Sequence, residues 1–103
     1  MATNRLRVVH VDRLLSVLSD VAAEWTVFMG QLGLPQAQIS QIERDTPPGD
    51  GRSVECLRTA LLHWVRSGNK TYNIIVSALR RPILNNATLA HKVEEFSLKV
   101  QGL

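Results

Sequence analysis

The stretch EWTVFMGQLGLPQAQISQIERD, from Glu24 to Asp45, holds the clearest structural pattern in the chain. Trp25, Phe28, Met29 and Leu32 fall at i, i+3, i+4 and i+7, so on a helix they form one apolar stripe wide enough to face a core. Gly33 then ends that helix, because it enters the left-handed conformation of a helix C-terminus at little steric cost, and Pro35 suits the first turn of the next helix. The stretch therefore reads helix, tight turn, helix. In its second helix Ile39 and Ile42 face inward, while Gln36, Gln38, Gln41, Glu43 and Arg44 are left for solvent or a partner. Further on, LRTALLHWV repeats the helical spacing with Leu57, Leu61, Trp64 and Val65. The two tryptophan-bearing helices are expected to meet.

Outward from this centre the same spacing recurs. Residues 1–11 read as an N-terminal arm with a partly alternating pattern that is neither a clear helix nor a clear strand. A helix follows, with Val11, Leu14, Leu15 and Leu18 as its stripe and Asp12 placed to cap its N-terminus. Asp20 to Ala23 forms a short connection, with Glu24 at the start of the next helix, where a negative charge is favourable. After Asp45, the run DTPPGDG can neither continue a helix nor join a sheet. Asp50 is placed to cap a helix over about residues 52–66, which stops at Ser67 and Gly68. Thr71 is the next cap candidate. The helix it opens turns Tyr72, Ile75, Val76 and Leu79 inward and ends in Arg80 and Arg81, before Pro82. Asn85 or Asn86 opens a last helix with Leu89, Val93, Phe96 and Val100 as its stripe, and residues 101–103 form a tail. No strand pattern of comparable quality occurs, so the chain reads as all-α, with six short helices.

At 103 residues the chain suits one domain with one modest core. No apolar run approaches the roughly 18 residues that span a bilayer, and MATNRLRVVHVD lacks the layout of a signal peptide, so a soluble chain without membrane insertion is expected. Cys56 is the only cysteine, which excludes an internal disulfide and favours the cytosol or nucleus. A net charge of +3 and a pI near 9.6 permit nucleic acid or acidic protein partners without selecting either. The distribution says more: Val21 to Asp45 carries Glu24, Glu43 and Asp45 against Arg44, whereas Gly51 to Lys70 carries Arg52, Arg58, Arg66 and Lys70 against Glu55. One acidic and one basic face suit binding to copies or relatives of the same domain.

Catalytic chemistry is missing. Cys56, His10, His63 and His91 do not stand at metal-ligand spacings, and Cys56 reads as a small apolar filler. Glu94 and Glu95 point about 100° apart on a helix, a poor general acid/base pair. No Gly-rich phosphate loop follows a strand. Neither an enzyme nor a cofactor is expected.

With six helices in place, the ordered set Glu24-Trp25, Leu32-Gly33-Leu34, Ile39, Ile42-Glu43, Leu57, Leu61, Trp64, Ala78-Leu79-Arg80 and Leu89 to Val93 resembles a death domain. The resemblance spans roughly residues 12 to 98, with the domain itself set at 12–100. It implies a six-helix antiparallel bundle with the death-fold Greek key, and a non-enzymatic module that assembles with other death domains in apoptotic, NF-κB or innate immune signalling in the cytoplasm. Those partners would be copies of itself or a related adaptor, receptor or kinase. The chain departs from the family at Phe28-Met29, where Leu-Ala is common, and at Thr26 and Val27, where many adaptors carry basic residues. By resemblance three kinds of surface contact are implied. One sets Glu24, Gln31 and Glu43 against Arg13 and Arg58. A second sets Arg66, Asn69 and Lys70 against the connection around Arg81. The third sets Gln41 and Arg44 near Asp20.

The same central stretch also looks like a helix-turn-helix of repressor type, whose residues 35–45 would present Gln36, Gln38, Ser40 and Gln41 to the major groove. Two features oppose this alternative: Met29 stands where close helix crossing needs a small residue, and residues 35–45 set Arg44 against Glu43 and Asp45 where phosphate contacts need cations.

Overall fold

Helices form where the apolar stripes fall: α1 (Val11–Leu18), α2 (Trp25–Gln31), α3 (Gln36–Asp45), α4 (Arg52–Arg66), α5 (Tyr72–Arg80) and α6 (Ala87–Gln101). The computed structural model describes residues 6–68 and 70–101, apart from the side chains of Val100 and Gln101. Two 3₁₀ helices, Val8–His10 and Ser19–Glu24, lead into α1 and α2, and no strand occurs among the described residues. The expected short connection at 20–23 is thus itself helical. Helices distant in sequence pack together: α1 lies against both α4 and α6, and α2 against both α4 and α5. These crossings make the antiparallel bundle a Greek key rather than an up-and-down array.

The turn between α2 and α3 is a Schellman motif. Gly33 takes φ 93°, its N–H donates to Gly30 O at 3.1 Å, and Leu34 N–H donates to Met29 O at 3.0 Å. Two orphan carbonyls of α2 are satisfied in this way, and the side chains of Met29 and Leu34, which the motif brings together, are both buried. Pro35 stands one position before the helical turn expected for it, as the N-cap of α3, and its carbonyl accepts from Gln38 and Ile39 N–H.

Trp25, Phe28, Met29, Ile39, Ile42, Leu57, Leu61 and Trp64 all enter the core, and the two tryptophan helices meet. At the junction Trp64 Nε1–H donates to Leu32 O at 2.9 Å in a buried hydrogen bond. A polar indole edge placed in a core needs such an acceptor, and the C-terminal end of α2, where carbonyls lack helical partners, supplies one. From α5 and α6, Tyr72, Ile75, Leu79, Leu89 and Val93 are buried, Phe96 packs against them partly buried, and Ser97 is buried beside them. The expectation for Val100 lies outside the described side chains. Cys56 is free and fully buried, as expected of an apolar filler.

Two expected caps differ, those at Asp12 and Asp50. Asp12 sits in the first turn of α1 but caps nothing; the N-cap is His10, and the Asp12 carboxylate instead meets Arg58 on α4. Asp50 does not cap α4, because Gly51 in the left-handed region, φ 77°, occupies the N-cap and its carbonyl receives Glu55 N–H at 3.0 Å. Thr71 is the N-cap of α5 without a side-chain hydrogen bond. The alternative at α6 resolves cleanly. Asn86 Oδ1 accepts Leu89 N–H at 3.1 Å as a capping side chain does, while Asn85 takes the left-handed turn at φ 45° that asparagine tolerates.

Candidate interaction surfaces

On the acidic side, Glu24 is exposed at the mouth of α2, Gln31 is half-buried at its end, and Glu43 is half-buried on α3. Arg13 is exposed on α1. Arg58 is half-buried, and its Nε donates to Asp12 Oδ1 at 2.9 Å. That hydrogen bond, with the carboxylate charge behind it, raises the guanidinium pKa above its ordinary value. The α1–α4 side therefore presents Arg58 as half of an ion pair, and Arg13 as a cation with no ion pair among the described residues.

At the end of α4, Arg66 is exposed and Lys70 is half-buried with its ammonium 5.4 Å from the Trp64 ring centroid, so this lysine also covers the tryptophan face. Asn69 lies outside the described residues. Arg81 is exposed, but its Nη1 donates to both Gln31 O at 3.0 Å and Gln31 Oε1 at 3.1 Å. Gln31 and Arg81, assigned by the resemblance to different contacts, are thus joined, and the α5–α6 connection is fastened to the end of α2.

On α3, Gln41 Nε2 donates to both carboxylate oxygens of Asp45, at 2.9 and 3.1 Å, and Arg44 Nη2 donates to Gln41 Oε1 at 3.2 Å. These three exposed side chains form one hydrogen-bonded row. Asp20 is exposed in the 3₁₀ turn before α2, with Lys92 Nζ at 4.0 Å. Between α1 and α6 lies a groove of about 400 Å³, lined by Val17 and Phe96 with Asp20, Lys92, Glu95 and Lys99 around them. Its carboxylates are met locally, Asp20 by Lys92 and Glu95 by His91 Nε2 at 3.0 Å, so the groove shows no single sign of charge.

Arg52, one of the cations of the expected basic face, is instead engaged within the chain. Its Nη2 donates to Glu43 O at 2.6 Å and its Nε to Thr46 O at 3.3 Å, so it binds the carbonyl end of α3 across the proline loop. Arg80 and Glu94 similarly pair between α5 and α6. The only hint of Arg52's role in the chain is its place directly after the loop. For Arg80 and Glu94 no local signal exists.

Among the described residues no group of three or more His, Cys, Asp or Glu could hold a metal ion, and no helix is long and apolar enough to cross a membrane. The DNA-reading alternative finds no support here: Met29 is fully buried where α2 meets its neighbours, and the exposed Gln41 is engaged by Asp45 and Arg44. The family model described as Death domain matches residues 9–95 of the chain. No curated protein and no solved structure matches it.

Proposed function

The chain belongs to the death domain family, whose members are protein–protein interaction modules and not enzymes, and on that premise we propose that it nucleates or joins an oligomer of similar domains in the cytoplasm. Its partners are copies of itself or the death domain of a related adaptor, receptor or kinase, and the assembly serves apoptotic, NF-κB or innate immune signalling by gathering downstream kinases or caspases. The working unit is residues 12–100, with 1–11 as an arm and 101–103 as a tail. The observation that carries this reading is the family match over residues 9–95. The separation of charge along the chain supports it.

The contacting groups proposed are those at the three surfaces: Glu24, Gln31 and Glu43 with Arg13 and Arg58; Arg66, Asn69 and Lys70 with Arg81; Gln41 and Arg44 with Asp20. Each contact buries less than about 1,200 Å² in total, so single contacts are weak and an oligomer is held by several at once. Assembly is then steeply concentration-dependent.

Glu43→Arg is the test, read by light scattering across concentration with circular dichroism as the control for folding. The Glu43 carboxylate makes no ion pair among the described residues, and Arg52 bonds only its carbonyl, so charge reversal leaves the fold in place. A tenfold or greater shift of assembly to higher concentration is expected. Unchanged assembly by a folded variant removes the α3 surface from the proposal.

A further inference from the structure

Of the chain's four prolines only Pro47 directly follows a hydroxyl residue, Thr46. The pair stands where α3 ends and the loop to α4 begins. A proline disfavours the helical conformation in the residue before it, and Thr46 is extended accordingly, with φ −93° and ψ 119°. Thr46 is half-buried, and Pro47, Pro48, Gly49 and Asp50 beyond it are exposed. An extended Thr-Pro leading into an exposed loop is the form of substrate that a proline-directed protein kinase takes. Its pocket for the second residue is filled by a ring that brings no N–H in need of a partner.

The surroundings of the hydroxyl make the position consequential. Thr46 Oγ1 donates to Ile42 O at 2.7 Å and Thr46 N–H donates to the same oxygen at 3.1 Å, so this residue closes the C-terminal end of α3. Arg52 also holds that end, with Nη2 on Glu43 O at 2.6 Å and Nε on Thr46 O at 3.3 Å. The turn held by these bonds carries the exposed row of Gln41, Arg44 and Asp45.

We propose that Thr46 is a phosphorylation site for a proline-directed protein kinase, and that its phosphate draws Arg52 from Glu43 O and releases the last turn of α3. In the transfer Thr46 Oγ1 bonds to the γ-phosphorus of ATP, the bond from that phosphorus to the ADP oxygen breaks, and the hydroxyl proton passes to the kinase's base. The resulting ester oxygen has no hydrogen to give, so the bond to Ile42 O is lost. The phosphate brings a charge of about −2 at neutral pH to the negative end of the α3 dipole, beside Asp45. Arg52 already lies at the backbone of the same residue, and a guanidinium binds a phosphate through paired N–H donors more strongly than it binds a neutral carbonyl. The release acts on the surface proposed for Glu43, Gln41 and Arg44, and only this last consequence rests on the self-assembly reading above.

The test is incubation of the wild-type chain with ATP, magnesium and a purified mitogen-activated protein kinase, read by mass spectrometry and amide hydrogen exchange. One phosphoryl group is expected, on Thr46, with at least tenfold faster exchange of the amides of residues 43–46 and unchanged exchange in α5 and α6. Thr46→Val keeps a branched side chain, loses the hydroxyl bond and leaves Arg52 in place. It is expected to take up no phosphoryl group there and to exchange these amides less than threefold faster than the wild type. A folded wild-type chain that stays unmodified, or is modified elsewhere, overturns the site. A phosphorylated chain whose residues 43–46 exchange as before overturns the release. In light scattering the phosphorylated chain is expected to assemble at least tenfold more weakly than the unmodified one, and equal assembly overturns the effect on the α3 surface. A chain that is monomeric in both forms overturns self-assembly and leaves the site and the release standing, since mass and exchange decide those.

Discussion

Two aromatic regions of the bundle, each centred on a buried ring, Trp64 and Tyr72, are differently finished. Where α2 meets α4, the Trp64 indole N–H finds Leu32 O, and the turn beyond satisfies the remaining end of α2 through Gly33 and Leu34. Where the N-terminal turn meets α5 and α6, the Tyr72 ring lies 6.5 Å from His10 and 5.9 Å, edge-on, from Phe96, and neither Tyr72 Oη nor His10 Nδ1 has a hydrogen-bond partner among the described residues. Burial pushes the Tyr72 hydroxyl pKa up to about 12, and burial, then Arg7 and Arg13, hold the His10 imidazole below its ordinary value. The first region turns burial into stability. In the second, the lost solvation of two polar atoms offsets part of what the rings contribute.

The largest expected effect breaks the first region. Trp64→Ala removes a fully buried ring and its hydrogen bond, and should cost about 3 to 5 kcal/mol in urea denaturation, a large share of a domain stability of roughly 5 to 15 kcal/mol. Loss of assembly in that variant would therefore report unfolding and not an interface. Tyr72→Phe sharpens the contrast: it removes an unpartnered buried hydroxyl and keeps the edge-on contact with Phe96, so stability at neutral pH should change by less than about 1 kcal/mol, in either direction. The same pair separates at high pH. Tyrosine ionises in the unfolded chain near 10 and in the folded chain near 12, so between these values the unfolded state has already released the proton. Wild-type stability should fall relative to Tyr72→Phe as pH rises through that window.

The smallest expected effect is at His10. With its folded pKa lowered from 6.5, the unfolded chain takes up the proton first as pH falls. Its contribution is fully present above 6.5 and is lost as pH descends through the folded value. His10→Gln should flatten that part of the denaturation profile. A profile unchanged by His10→Gln would mean that the imidazole is as well solvated in the folded chain as in the unfolded one.

The same division separates what the chain discloses from what it does not. Apolar spacing locates all six helices and most core residues, because a stripe at 3.6-residue period has one way to be buried. Gly33 marks the turn for an equally local reason, its left-handed φ. Polar pairings across the bundle are not local. Asp12 looks like a helix cap and instead reaches Arg58, and Arg81 binds Gln31, because helix crossings bring these distant positions together. Arg52 counts in the sequence toward a basic face and holds the end of α3 instead. Of the candidate contact residues, the sequence identifies the exposed charges readily; that Arg58 and Gln31 are already engaged within the chain emerges only from the packing.

The most direct measurement is light scattering of the wild-type chain over concentration and salt, with and without nonspecific duplex DNA. The account predicts a mass that climbs above the monomer with concentration, recedes as salt screens the charged surfaces, and is unaffected by DNA. A chain that stays monomeric by itself and moves onto DNA with a steep salt dependence would contradict it.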